Sequence, residues 1–275
     1  MSAVADTLLP AVTRRGRVTQ RNVLRSEWTK LWSLRSTRWS LLTAVVAMAA
    51  LGPLVALAQM SRWSHLSPHE RAVYDSIDNG VGGYHFAQLA VGVLGVLVIS
   101  GEYSTGMIRS SFMAVPRRLP VLWAKLAVFC SVTFALMLVS TFVAFFAVQA
   151  IVTQHGQQHA LGDPHALRAV VGTALFLTVL GALAVGIGTL VRSTAGGIAL
   201  FVLLLFVLPG ITSILPSSMA DAISPYLPLN AGVAVATSTF DSPHHLAPWT
   251  GFALLCGYAL VTIAAAAVGL VRRDA

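Results

Sequence analysis

An all-α polytopic membrane protein is what this chain encodes. Only 10% of its 275 residues are charged and 56% are hydrophobic, whereas soluble domains carry about 25% charged residues. Lipid must therefore cover much of the surface. The apolar residues come in blocks of roughly 20, the length that crosses a bilayer as a helix. The blocks run continuously, without the period-two alternation of a barrel strand.

The N-terminal tail, 1–21, is basic and lacks periodicity, so it is expected to be mobile. It has no apolar core followed by a small-residue cleavage site, and the first span is expected to act as the insertion signal. An interfacial amphipathic helix is expected over 22–38. Leu24, Trp28, Leu31 and Trp32 fall on one helical face, while Arg25, Lys30 and Arg35 occupy other faces or snorkel to headgroups. Tryptophan mixed with lysine and arginine suits a helix lying in the membrane surface. Such a helix either only orients the following span or passes force to it.

Six spans follow, expected over 39–59, 81–101, 121–152, 167–191, 196–215 and 248–271. The third is long enough to tilt or to project beyond the bilayer. Pro209-Gly210 predicts a kink in the fifth. Between the fifth and sixth, the loop 216–248 has low charge and several prolines, and is expected to pack on the membrane surface. Cys130 and Cys256 lie inside apolar blocks, not in a CxxC pair, and are expected to be buried free thiols.

Charge orients the bundle. Fifteen of the 18 lysines and arginines fall in the N-terminal tail, the loop between spans two and three, the loop after span four and the C-terminus. Arg62, Arg71 and Arg168 alone fall on the other side, with most of the acids. The positive-inside rule then expects both termini and the 101–120 loop in the cytoplasm. This use of the net charge of +8 displaces nucleic-acid binding, the usual reading of such a charge on a soluble chain.

The loop "GEYSTGMIRSSFMAVPRRLP" (101–120) is unusual. Glu102 stands where the second span meets the cytoplasm, an acid that is costly if drawn into lipid. Residues 103–113 can form a short helix with Tyr103, Met107, Ile108 and Phe112 as apolar contacts, stopped by Pro116, with Arg117 and Arg118 at headgroup level. A short helix along the membrane between two spans is either a lever or a loop that only reverses the chain.

At these two stretches the chain resembles the permease subunits of ABC transporters of the type 2 exporter class, most strongly the actinobacterial members. "SEWTKLWSLRSTRWSLL" and "GEYSTGMIRSSFMAVPRRLPVLWAK" carry the likeness, and the six-span layout extends it over nearly the whole chain. The resemblance implies that Glu102, Tyr103, Thr105, Gly106, Met107, Arg109, Pro116 and Arg117 form a coupling loop that docks on a separate ATP-binding subunit. Lys125 completes the family's acid–Gly–Pro–Arg–Lys pattern. Arg25, Glu27, Trp28, Lys30, Leu31 and Trp32 would belong to the interfacial helix. The implied partners are an ABC ATP-binding subunit, a second permease chain (identical or related) and the bilayer. ATP and Mg²⁺ would sit on the partner, so no cofactor is expected on this chain.

The remaining motifs agree. No G-x-x-x-x-G-K-[ST] occurs, so the chain is not expected to be an enzyme. "GIGTLV" (186–191) lacks the third glycine of a dinucleotide loop, and Ala182 with Gly186 reads as a small-xxx-small packing pair. His65/His69 and His155/His159 have the i, i+4 spacing of a metal pair, but no cysteine or carboxylate joins them at zinc-site spacing. "HERAV" lacks the second histidine of HExxH, and no G-x-S-x-G is present. Gln88, Thr133, Ser140, Thr141, Gln149, Thr178 and Ser213 are the polar residues available within spans, where Ser and Thr more often bond their own backbone. No ionisable side chain lies mid-span, which disfavours an ion-driven carrier. The resemblance thus implies the permease of an ATP-driven exporter. The alternative is a non-transport membrane protein of similar topology, a sensor or an immunity-type partner.

Overall fold

Six helices are long and apolar enough to cross a membrane: Arg35–Met60, Ser76–Ser104, Leu119–His155, Ala166–Val191, Thr194–Thr212 and Pro248–Arg272. They come from a computed structural model that describes residues 19–107, 118–238 and 246–272. Among these residues there is no strand. The chain is a multi-pass membrane protein.

The helix expected over 22–38 is divided. Helix α1 runs Gln20–Ser33, and Leu34 then takes an extended conformation (φ −81°, ψ 122°). Helix α2, Arg35–Met60, starts at the next residue and forms the first span. No proline or glycine marks this break in the sequence. A short helix α3 (Pro68–Ala72) follows beyond the membrane, held by a Ser67–Glu70 capping box.

The second span is built from two pieces, α4 (Ser76–Val81) and α5 (Tyr84–Ser104), joined at Gly82-Gly83. Gly83 lies against α2: a Cβ there would stand 2.5 Å from the Met48 carbonyl oxygen. Helix α6, Arg118–Val152, has 35 residues, so it is about 52 Å long at 1.5 Å per residue. The hydrocarbon core is about 30 Å thick. The helix is thus longer than the core is thick, and in its first turns Val121 and Ala124 pack on Val23 of α1.

Helix α7 (Ala166–Val191) is the centre of the bundle. Its most apolar stretch is 83% buried, against 28% for the first span and 22% for the sixth. An α-helix that is apolar on every side belongs inside, and small residues let its neighbours approach. Gly186 shows this: a Cβ there would lie 2.8 Å from Thr262 Oγ1 of the sixth span, so the small-residue reading of "GIGTLV" describes the contact. The fifth span is α8 (Thr194–Val202), a π-turn over Leu203–Val207, and α9 (Leu208–Thr212). The π-turn comes just before Pro209, which has no N–H to continue the α ladder.

The loop 216–248 departs from its expected surface position. Helix α10 (Ser217–Ile223) is largely exposed, but α11 (Pro228–Val233) and the residues after it enter the bundle. Ala231, Ala234, Val235 and Ala236 are fully buried. Small side chains permit this insertion, which low charge alone did not distinguish from surface packing. Helix α12 (Pro248–Arg272) closes the chain.

At the end of the bundle away from α1, polar groups tie α4 to this inserted segment. Asp75 caps α4 by accepting from the Ile77 amide at 2.7 Å and also accepts from the Ser238 hydroxyl. Asp78 accepts from the Ser238 amide at 2.7 Å, and Arg168 donates to the Thr237 carbonyl at 3.0 Å.

Replacing Gly83 with valine is expected to lower stability by about 1–3 kcal/mol, the usual range for overpacking, because backbone oxygens of both Ala47 and Met48 occupy the space. Thermal melting of the purified variant in detergent checks this. An unchanged midpoint would contradict the close approach of α2 and α5.

Candidate functional site: an ion tetrad joining three helices

The charged residues that sequence reasoning left in separate elements come together at the basic end. Glu27 of α1, Glu102 at the end of α5, Lys125 near the start of α6, and Lys30 of α1 form one cluster. Lys125 Nζ donates to Glu27 Oε2 at 2.6 Å and to Glu102 Oε1 at 2.9 Å. Lys30 Nζ donates to Glu27 Oε1 at 2.7 Å and to Glu102 Oε1 at 3.0 Å. The side chains of Glu27, Glu102 and Lys125 are each 4% exposed, and that of Lys30 is 26% exposed. Two carboxylates against two ammonium groups leave no formal charge.

Each helix presents its member for a local reason. On α1 the inward stripe is Val23, Glu27 and Leu31, at spacings of four residues. The two tryptophans do not face the protein: Trp28 is 50% exposed and Trp32 40%, their rings 6.0 Å apart. With exposed Trp39 and Trp123 they supply the aromatic residues typical of a membrane–water boundary. Arg25 and Thr29 lie on the exposed side of α1. On α5, Glu102 is buried one turn beyond Val98, which helps line a cavity of about 20 Å³ with Leu31, Leu34, Thr37, Val128 and the four ions.

Burial raises the cost of ionising Glu27, but the Lys125 and Lys30 ammonium groups outweigh it and hold the carboxyl below its ordinary value of 4.5. Burial likewise penalises the Lys30 charge, but Glu27 and Glu102 outweigh it and raise the ammonium above its ordinary 10.5. A depressed acid stabilises the fold above its unfolded pKa and ceases to as pH falls through the folded value. A raised base stabilises it below its unfolded pKa and ceases to as pH rises through the folded value. Both contributions are therefore full between 4.5 and 10.5.

The end of α5 is also tied on its other side. Arg192, which follows α7 in the left-handed region at φ 56°, sets its guanidinium 5.3 Å from the Tyr103 ring. Thr194 Oγ1 donates to Ser100 Oγ at 3.0 Å. Helix α5 then stops. Thr105 donates its hydroxyl to the Gly101 carbonyl at 2.8 Å, and Gly106 takes φ +72°, a conformation that costs other L-residues about 1–2 kcal/mol. Met107 is exposed. Arg109, Pro116 and Arg117 lie outside the described residues, as do residues 108–113 of the expected short helix, whose first two residues, Tyr103 and Ser104, instead end α5. The expected mobile tail up to residue 18 lies outside them too.

A family model described as ABC-2 family transporter protein matches residues 23–212, starting in α1 and ending at α9. The chain belongs to that family. It is a membrane permease component of an ABC transporter, a role in which the membrane chain is not itself catalytic. None of the curated proteins compared with the permease matches it. All four tetrad residues lie inside the matched region.

The other candidate chemistry is dispersed in the permease. His155 lies tilted against Trp63 with centroids 5.6 Å apart, and His159 pairs with Asp163 at 3.1 Å. Among the described residues no three His, Cys, Asp or Glu side chains converge as a metal site. Cys130 and Cys256 are free thiols, half-buried and not fully enclosed. Ser140, Thr141 and Thr178 donate to carbonyls four residues back, each at 2.7 Å. Gln149 instead accepts from the His159 amide at 2.7 Å and fixes the loop before α7.

Lys125→Met leaves two buried carboxylates facing Lys30 alone. The expected cost is about 3–5 kcal/mol, the range for breaking a buried ion pair on one side. Urea or thermal unfolding of purified protein measures it. A loss below about 1 kcal/mol would place the cluster among exposed pairs.

Proposed function

We propose that the chain is the permease of an ATP-driven exporter, paired with a second permease chain and driven by a separate ATP-binding subunit. The basic end faces the cytoplasm, with both chain termini there. The charge distribution supports this orientation, since lysines and arginines gather at that end. The ATP-binding subunit docks on the 101–120 segment and on the exposed side of α1. Glu102, Tyr103, Thr105, Gly106, Met107, Arg109, Pro116 and Arg117 are the proposed contact loop. Arg25, Glu27, Trp28, Lys30, Leu31 and Trp32 are the proposed interfacial helix, with Glu27, Lys30 and Leu31 turned inward to hold it.

The observation that carries this reading is the tetrad. The proposed docking segment includes Glu102, and Glu102 is hydrogen-bonded to both α1 and α6. A push on the segment cannot move the end of α5 alone. It moves α1, and hence the first span, together with the start of α6. Closure of the ATP-binding subunits would in this way shift spans one, two and three as a unit against the buried α7. The peripheral spans one, five and six, with their low burial, are the surfaces left for lipid and the second permease chain.

Glu102→Gln and Gly106→Pro test the coupling. Proline cannot adopt the positive φ of residue 106, and it removes the amide that donates to the Tyr103 carbonyl at 3.3 Å. Both variants are expected to reach the membrane and to retain the six-span fold. ATPase activity of the co-purified complex in vesicles is expected to fall several-fold. Wild-type activity in both variants would overturn the coupling role of this segment.

A further inference from the structure

We propose that the cleft between the basic ends of α7 and α12 is a binding site for the headgroup of an anionic phospholipid. The site adjoins the proposed docking loop, since the Arg192 guanidinium also lies 5.3 Å from the Tyr103 ring, but lipid binding is read on the permease alone, without the ATP-binding subunit.

The cleft has a volume of about 370 Å³, within the range of small-ligand sites, roughly 300–1,000 Å³. Two arginines, Arg192 and Arg272, line it, and the rest of the lining is Thr189, small residues and aliphatic residues, among them Ala265 and Val268. Arg192 uses one donor, to the Gly269 carbonyl at 3.4 Å. Its other donors have no protein acceptor among the described residues, and neither arginine is in a described salt bridge. The guanidinium fork matches the oxygens of a phosphate. The backbone favours the same reading. Arg192 ends α7 at φ 56°, where glycine would be unstrained, yet a charged side chain stands there.

Location and charge select a lipid over the other occupants. Both arginines end membrane spans, at the same end of the bundle as exposed Trp28, Trp39 and Trp123, residues typical of a membrane–water boundary. Ala265 and Val268 precede Arg272 along the sixth span, so the apolar part of the lining lies on the span side of that arginine, where an acyl chain can follow the phosphate. Basic pockets between spans bind anionic headgroups on such grounds. A second copy of the chain supplies no suitable carboxylate at this end among the described residues, because Glu27 and Glu102 are consumed in the tetrad. The other described acids, Glu70, Asp75, Asp78, Asp163 and Asp221, lie in loops or short helices at the opposite end.

Native mass spectrometry of delipidated protein, titrated with phosphatidylglycerol or with phosphatidylcholine of the same chains, tests the site. Phosphatidylglycerol is expected to bind at tenfold or lower concentration. R192Q with R272Q should reduce that preference to within twofold. R272Q alone, at an exposed residue, should weaken it several-fold and guards against misfolding of the double variant. Gly269→Phe should also weaken binding with both arginines present, since a side chain there meets no atom within 4 Å and would fill the cleft. Equal binding of the two lipids, or a preference unchanged by all three variants, overturns the proposal. Displacement of the lipid by millimolar inorganic phosphate would make this a free-anion site and overturn the lipid assignment. Loss of a dimer peak in the variants, with lipid binding intact, would assign the cleft to a second copy.

Discussion

A buried lysine needs anions, and the junction of α1, α5 and α6 at the basic end of this permease follows from meeting that need. Lys125 lies 4% exposed at the base of the longest helix. An isolated ammonium in such a place would cost several kcal/mol. Glu27 and Glu102 come from two other helices to satisfy it, and Lys30 balances the second negative charge. The cluster is not an efficient source of net stability, since well-packed apolar side chains often do as well. Its effect is geometric. Hydrogen bonds at 2.6–3.0 Å fix the relative positions of a surface helix and two spans, which apolar contacts would let slide.

That constraint divides the molecule into parts with different work. Helix α7 is the fixed core, enclosed by its neighbours and packed closely enough that glycine is required where the sixth span crosses it. Around it, α1, the end of α5 and the start of α6 form one body held by charge. The fifth span is weakened by a π-turn and Pro209, and only 17% of its most apolar stretch is buried. A transporter that changes state needs this contrast between a rigid centre and helices able to move against it. At the far end, Asp75, Asp78 and Arg168 hold the inserted segment 231–238 over the bundle.

Much of this was legible in the sequence. Block length and continuity predict the six spans, and Glu102 is conspicuous as an acid at a span end. Three features were not. The tryptophans dominate the periodicity of α1 and draw attention to its exposed side, whereas the inward stripe of Val23, Glu27 and Leu31 is weaker in hydrophobicity and contains a charge. Lys125 is recognisable only as part of a family pattern until its partners are seen to converge, because the pairings span 23 and 98 residues of chain. A search for opposite charges at the same end of three neighbouring helices would have found them. The insertion of α11 was hidden because Ala, Gly and Val suit a membrane surface and a buried wedge equally.

The most direct measurement is a double-mutant cycle between Glu27→Gln and Lys125→Met, read from unfolding free energies of the purified protein. If the tetrad joins α1 to the third span, the two changes are strongly non-additive, with a coupling energy of about 0.5–3 kcal/mol, the range for residues in one ionic network. Strictly additive losses would show that the two residues act independently and would contradict the account.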